Sequence, residues 1–111
     1  MIGPYKLNLD NIDQLIRAER PGNYMLGGLS NNKFVPCYVG RSETNLNERL
    51  KDWVGKYNYF VFCLSPSIQD AFYKECHNYH LNIKLFKLDN DVHPVRPDSK
   101  DWKCPICNIY K

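Results

Sequence analysis

The sequence predicts an α/β (α+β) fold in which a small antiparallel sheet of three strands is flanked by helices. Two short apolar segments separated by a turn indicate a β-hairpin, and a later aromatic segment indicates a further strand. Around these strands, apolar residues recur at helical spacing. A chain of 111 residues suits one domain, residues 1–111, whose core is expected at about residues 20–80.

An N-terminal helix is predicted at about residues 10–20, where apolar side chains recur on one face. Asp10 or Asn11 can cap its N-terminus, and the Pro21-Gly22 pair ends it. This is the first of the helices that we expect to flank the sheet.

The hairpin comprises residues 23–29, with the sequence NYMLGGL, and residues 34–39, with the sequence FVPCYV. The segment between them, SNNK, is rich in residues that tolerate positive φ. Pro36 has no N–H to donate, so its strand is expected to lie at an edge of the sheet or to begin late.

A second helix is predicted after the hairpin, because Leu46, Leu50 and Trp53 recur at i, i+4 and i+7. Gly55 suits the end of this helix. Residues 57–64, with the sequence YNYFVFCL, are rich in aromatic residues and predict the third strand.

A longer helix is predicted next, with Ser65 as its N-cap and Pro66 at its first helical position. It is expected to run to about His80. The tail that follows, about residues 81–111, holds three of the seven prolines and is too polar to pack without a further constraint.

An acidic residue interrupts the apolar stripe of this longer helix. Counted from Ile68, the stripe continues through Ala71, Phe72, Glu75, Cys76 and Tyr79. An ionised carboxylate is costly to bury without a partner. Three alternatives follow for Glu75: it reaches water at the margin of the stripe, it pairs with a buried arginine, or it points into a cleft and binds a cation.

Arg49 flanks the apolar seam of the second helix, one position from Leu50 and three from Leu46. Its aliphatic stem can cover the core while its guanidinium group reaches water. Its planar set of donors also suits the binding of a phosphate in a cleft. The sequence leaves both roles open.

Two tripeptides and two charged residues together resemble the GIY-YIG nuclease superfamily. GNY at 22–24 and YVG at 38–40 lie on the two hairpin strands, and Arg49 and Glu75 follow on successive helices. This superfamily includes homing endonucleases, restriction enzymes and the incising subunit of bacterial excision repair. The stretches YVGRSETNLNERL and DAFYKE are similar to its Arg-bearing and acidic helices, so the resemblance covers about residues 20–80.

The resemblance implies a metal-dependent endonuclease that hydrolyses DNA phosphodiester bonds. Glu75 would hold catalytic Mg²⁺ or Mn²⁺, hard cations that prefer oxygen ligands, and the metal would stabilise the leaving oxygen. Arg49 would neutralise the charge that grows on the phosphate. Tyr24 would orient or deprotonate the attacking water, with Tyr38 assisting.

Several positions differ from the pattern of the superfamily. Asn23 replaces an Ile, and Trp53 stands where relatives often carry a His or Tyr, a place for which Tyr57 can substitute. Relatives often have a late Asn near the metal, for which Asn78 and Asn90 are candidates. These differences support an alternative: a catalytically inactive GIY-YIG-fold module that binds nucleic acid or protein and carries structural zinc.

Cysteine and histidine residues near the C-terminus predict a structural Zn²⁺ site. Cys104 and Cys107 form a C-x₂-C knuckle, a spacing that suits tetrahedral zinc. Cys76 and His80 lie at i and i+4 on the long helix, so they share a face, and His93 is a further donor. Four of these five residues would close a site that holds the tail. The alternative is a loose tail with two thiols and a core cysteine at position 76.

The other two cysteines, Cys37 and Cys63, lie in apolar strands and are expected to be buried free thiols. The net charge of +3 permits a polyanionic partner without requiring one. No apolar run approaches roughly 18 residues and no signal peptide is recognisable, so we expect a soluble, cytoplasmic (intracellular) protein with no membrane partner. DNA is the expected partner, a second protein can supply specificity, and the sequence does not indicate the oligomeric state.

Overall fold

Residues 1–110 are described by the structure, a computed structural model, and they contain four strands and three helices. In chain order these are β1 (Ile2–Lys6), α1 (Leu9–Leu15), β2 (Gly22–Ser30), β3 (Lys33–Ser42), α2 (Leu46–Lys51), β4 (Tyr59–Leu64) and α3 (Ile68–Leu85). The strands form one antiparallel sheet in the order β1-β4-β2-β3. The predicted α+β class is therefore confirmed, whereas the prediction of three strands was wrong by one.

The additional strand, β1, pairs with β4 at the edge of the sheet, with Ile2 opposite Phe62 and Lys6 opposite Tyr59. All five of its residues are exposed, so its sequence shows no alternation between a buried and a solvated face. Pro4 interrupts it and removes a donor from the ladder. These two features explain why the apolar pattern did not reveal the strand.

The predicted hairpin is confirmed, and both of its strands are longer than expected. Asn31 and Asn32 form its two-residue turn with positive φ values of 51° and 62°. β3 lies at the edge of the sheet, as Pro36 requires. β2 lies between β3 and β4, and it is therefore an interior strand of the sheet.

The first helix is shorter than predicted because tertiary packing ends it. Asn8, rather than Asp10 or Asn11, is its N-cap and accepts a hydrogen bond from the N–H of Asn11 at 2.8 Å. Ile16 leaves the helix in an extended conformation and is buried in the core.

The second and third helices also differ from their predicted bounds. α2 ends at Lys51, so Trp53 lies in the turn after the helix. α3 runs past His80 to Leu85, and its N-cap is Ser67, whose Oγ accepts from the N–H of Asp70. Ser65 is instead buried, and its hydroxyl donates to Asn23 Oδ1 at 2.7 Å.

Two apolar clusters stabilise this architecture. The larger cluster joins one face of the sheet to α1 and α2, and its fully buried members include Ile12, Leu26, Leu50 and Phe60. The smaller cluster lies between α3 and the C-terminal segment and contains Phe72, Cys76 and Cys104. None of the helices in residues 1–110 combines the length and apolar character needed to cross a membrane.

Candidate active site and candidate metal centre

A cleft of about 400 Å³ opens beside β2 and β3, and all four predicted catalytic residues line it. They come from four different elements: Tyr24 from β2, Tyr38 from β3, Arg49 from α2 and Glu75 from α3. The remaining wall includes residues 92–95 of the C-terminal segment. The fold thus brings together side chains that are up to about half the chain apart in sequence.

The two tyrosines lie on one face of the sheet because of the register of the hairpin. Tyr24 is opposite Gly40 and Tyr38 is opposite Leu26, so the two rings are diagonal neighbours with centroids 6.5 Å apart. A Cβ on Gly40 would lie 2.4 Å from the Tyr24 hydroxyl and ring. The glycine of the YVG tripeptide is therefore required by the close approach of the Tyr24 ring.

The Tyr24 hydroxyl is held in a fixed hydrogen bond. Its side chain is 1% exposed, and the indole Nε1–H of Trp53 donates to the phenol oxygen at 3.0 Å. Burial raises the pKa of Tyr24, and the Trp53 bond and the charge of Arg49 only partly oppose this. Burial also raises the pKa of Tyr38. Both phenols are therefore neutral donors, which favours orienting a water molecule over deprotonating it.

Glu75 reaches the cleft and pairs with an arginine, but the arginine is Arg41. The Nη1–H of Arg41 donates to Glu75 Oε1 at 2.5 Å, and the residue Glu75 is 8% exposed. No other hydrogen bond to this carboxylate comes from residues 1–110. Burial raises the pKa of Glu75, and the charge of Arg41 lowers it in part.

Arg41 was missed by the sequence analysis, although it directly follows the YVG tripeptide. On β3 it alternates with Gly40 and so lies on the face that α3 covers. Its Nη2–H groups donate to Glu43 Oε2 at 3.0 Å and to the carbonyl oxygen of Val95 at 2.6 Å. Its Nε is buried without a hydrogen-bond partner among the described residues, an arrangement that is uncommon in folded proteins.

Arg49 is exposed and lines the cleft together with Tyr24 and Tyr38. Its positive charge is close enough to lower the pKa values of Tyr24 and Tyr38 against the effect of burial. The guanidinium group has space beside it in the cleft. It can therefore bind an anion there.

The positions that depart from the superfamily pattern have identifiable roles. Trp53 contacts Tyr24, as described, whereas the hydroxyl of Tyr57 donates to Asp89 at 2.7 Å and lies outside the cleft. Asn90 lines the cleft, and its side-chain amide pairs with both the N–H and the C=O of Val39. Asn90 is therefore the candidate that reaches the site, and Asn78 is not.

Four of the five predicted zinc donors converge: His80, His93, Cys104 and Cys107 have ligand atoms within 4.8 Å of one another. Such a cluster can bind a metal ion such as zinc. Cys76, the fifth candidate, lies outside this group of four and is buried within the smaller apolar cluster. Burial raises the pKa of the Cys76 thiol, which favours the neutral form over a metal-binding thiolate.

The separations within this Cys/His cluster suit a tetrahedral ion. The two histidine Nε2 atoms are 3.1 Å apart, Cys104 Sγ lies 3.5 Å from His80 Nε2, and Cys107 Sγ lies 3.4 Å from His93 Nε2. Zinc bonds of about 2.0–2.1 Å to nitrogen and about 2.3 Å to sulfur put tetrahedral ligand atoms about 3.3–3.8 Å apart. The four ligand atoms need only small movements to surround one ion.

The surroundings of the cluster also suit a metal. Burial raises the pKa of Cys104, but hydrogen bonds from the backbone N–H groups of Ile106 and Cys107, together with those from the His93 and Cys76 side chains, lower it to about 6, which favours the thiolate. The Nδ1–H of His93 donates to the carbonyl oxygen of Pro94 at 2.8 Å, which leaves Nε2 facing the cluster. The remaining cysteines, Cys37 and Cys63, are free thiols as predicted but are only half-buried.

Comparison of the chain with protein-family models, with curated proteins and with solved structures finds no match. The similarity to the GIY-YIG superfamily therefore stays a prediction that rests on the residues and on the geometry of the cleft.

Proposed function

We propose that this protein is a metal-dependent endonuclease of the GIY-YIG type that hydrolyses DNA phosphodiester bonds. The observation that carries the proposal is the convergence of Tyr24, Tyr38, Arg49 and Glu75 in one cleft. These residues lie on four different elements, β2, β3, α2 and α3, and nothing in the folding of a small domain requires all four side chains to line the same cleft. The sheet, with the GNY strand at its centre and the YVG strand beside it, adds support.

Glu75 is the residue that would hold catalytic Mg²⁺ or Mn²⁺. One carboxylate oxygen is engaged by Arg41, and the other has no hydrogen bond from the described residues and lines the cleft with the rest of the side chain. A carboxylate oxygen suits these hard cations, which keep several waters. When bound, the metal would supply Lewis-acid stabilisation of the leaving oxygen.

The other cleft residues would bind and orient the substrate. Arg49 binds a phosphate oxygen and stabilises the negative charge that develops during hydrolysis. Because Trp53 occupies one lone pair of the Tyr24 oxygen, the phenolic hydrogen is available to orient the attacking water or a phosphate oxygen. Tyr38 supports this donor from the adjacent strand.

The Cys/His cluster, by our proposal, holds one structural Zn²⁺ with His80, His93, Cys104 and Cys107 as ligands. This zinc is distinct from the cation at Glu75, because thiolate and imidazole ligands select zinc whereas a carboxylate suits magnesium. Five free cysteines and a DNA substrate fit a cytoplasmic, intracellular protein. A small cleft with few base-reading groups fits a second protein as the source of sequence specificity.

The test is cleavage of supercoiled plasmid DNA by the purified protein with Mg²⁺ or Mn²⁺. We expect wild-type protein to nick the plasmid, and we expect Glu75→Gln and Arg49→Ala each to reduce the rate by at least about 100-fold. The matched controls are Glu48→Gln and Arg17→Ala, which change exposed residues outside the cleft and should retain activity. Full cleavage by both cleft variants would contradict the catalytic assignment.

One observation favours the alternative, a catalytically inactive module that binds nucleic acid or protein. The ion pair between Arg41 and Glu75 gives the buried carboxylate a permanent counter-charge without any metal. If this pair is the sole role of Glu75, the wild-type protein binds DNA or a partner protein, retains its zinc and cleaves no DNA with either divalent cation. The same plasmid assay, run beside a DNA-binding measurement, separates the two functions.

A further inference from the structure

The candidate metal centre and the candidate active site share a residue. His93 contributes a ligand atom to the Cys/His cluster and also lines the cleft beside Val92, Pro94 and Val95. The segment that carries these residues has neither helix nor strand. Its position in the cleft wall must therefore come from individual contacts.

Three sets of contacts connect this segment to the sheet, and the first is a backbone hydrogen bond from the N–H of Asp89 to the carbonyl oxygen of Cys37 at 2.6 Å. The side chain of Asn90 pairs with the N–H and the C=O of Val39 at 2.9 and 2.8 Å, and so takes the place of a neighbouring strand at the free edge of β3. Farther along, the carbonyl oxygen of Val95 accepts from Arg41, which in turn donates to Glu75. A continuous chain of bonded and hydrogen-bonded groups thus runs from His93 to the carboxylate.

The segment has little apolar burial to hold it in place. In residues 86–110 only Pro94 and Cys104 are buried, while Val92 and Val95 are 66% and 61% exposed. Ordering each residue of a chain costs backbone entropy, which hydrogen bonds in water offset poorly. Apart from the small apolar cluster in which Trp102 and Tyr110 pack against Phe72, binding of a metal by His93, Cys104 and Cys107 is the contribution that can fix this segment.

We propose that the metal at the Cys/His cluster assembles the wall of the cleft, so that occupancy of this structural site regulates the site at Glu75. The inference rests on the proposed metal site and on the cleft of the proposed function. With metal bound, Asn90 covers the edge of β3 and Val95 fixes Arg41 against Glu75. Without the metal, residues 87–110 leave the sheet and the cleft opens. Arg41 then loses its hydrogen bond to the carbonyl oxygen of Val95.

Amide hydrogen exchange of the full chain tests this proposal without any activity measurement. The N–H of Val39 is a direct reporter, because Asn90 is its acceptor. We expect removal of zinc by a chelator to accelerate exchange at Val39 and throughout residues 87–110 by at least about 10-fold. Amides of β2, which lies between β3 and β4, should keep their protection, and added zinc should restore the protection that was lost.

A second variant separates assembly of the cleft from binding of the metal. Asn90→Ala removes the contact to Val39 but no metal ligand, so it should bind one zinc and still show fast exchange at Val39 in the zinc-loaded form. Asn108→Ala is the matched control, since Asn108 is an exposed residue of the same segment. We expect it to behave as wild type.

Each outcome decides the proposal. Unchanged exchange at Val39 on chelation, or a chain that binds no zinc, would overturn it. Loss of protection through the whole sheet would also overturn it, because the metal would then stabilise the entire fold rather than the cleft wall. A failed cleavage assay with the expected exchange pattern would instead refute only the nuclease function, so the two failures are distinguishable.

Discussion

The body of the molecule, residues 1–85, and its tail, residues 86–110, are stabilised in different ways. The body has three helices and four strands, with fully buried side chains such as Phe60 and Leu50 between them. The tail has no helix or strand, and it is connected to the body by polar contacts, by the Cys/His cluster and by the small apolar cluster around Phe72. The body therefore depends on apolar burial, and the tail depends on the chemistry of a few side chains.

This difference bears on function because the candidate active site lies where the two regions meet. The body supplies the tyrosines, Arg49 and Glu75, and the tail supplies the wall that contacts Arg41. A site that is shared in this way can have rigid catalytic groups and an adjustable wall.

Truncation of a side chain in the body should cost far more stability than a similar change in the tail. Phe60 is fully buried, so Phe60→Ala should lower the free energy of unfolding by about 3–5 kcal/mol. Ile109 is 55% exposed, so Ile109→Ala should change it by less than about 0.5 kcal/mol. Chemical denaturation measures both values, and equal losses would mean that the tail has an apolar core of its own.

A methyl group added beside the Tyr24 ring should disturb the site from within the body. The Cβ of Gly40→Ala would lie 2.4 Å from the Tyr24 hydroxyl, so the ring must move, and we expect a loss of about 1–3 kcal/mol of stability. Gly28→Ala is the control, because a Cβ there meets nothing within 4 Å. Denaturation of both variants checks this prediction, and equal stabilities would show that Tyr24 is free to relocate.

The pH dependence of stability should report the burial of Glu75. Because burial raises its pKa above the ordinary 4.5, the folded state binds this proton more tightly than the unfolded chain does. Stability contributed by the neutral acid is therefore present below pH 4.5 and is lost as the pH rises through the folded-state pKa.

Glu75→Gln lacks this titration, so its stability relative to wild type should rise between pH 4.5 and neutral pH. Denaturation curves across this range, with Glu48→Gln as the control for loss of a carboxylate, provide the measurement. A relative stability that falls with pH would mean that the ion pair with Arg41 outweighs the burial of the charge.

Much of the body could be predicted from local patterns. The hairpin, the aromatic strand and the long helix have strong periodicity or turn residues, and Glu75 was conspicuous because it interrupts an apolar stripe. β1 and the end of α1 could not be predicted in this way, because β1 has no buried face and α1 ends where Ile16 enters the core. Such features depend on partners that are distant in sequence.

The candidate site shows the same division. A short tripeptide pattern, with Arg49 and Glu75, indicated the four cleft residues, but Arg41 was overlooked because its role depends on a helix 34 positions away. Spacing nominated Cys76, His80, Cys104 and Cys107 as zinc donors, and His93 was added as a further donor in the tail. Only three-dimensional proximity separates Cys76 from the other four. Spacing along a helix shows which side chains share a face, but not which ones meet the tail.

The proposed activity requires Glu75 to bind a divalent cation in the cleft that Tyr24, Tyr38 and Arg49 also line. The most direct measurement is paramagnetic broadening of backbone amide signals by Mn²⁺ in the zinc-loaded protein. We expect broadening centred on Glu75 and Gly40 that is abolished by Glu75→Gln and retained by Glu48→Gln. Broadening that is unchanged in Glu75→Gln, or that is confined to exposed carboxylates elsewhere, would contradict it and leave Glu75 as the ion-pair partner of Arg41.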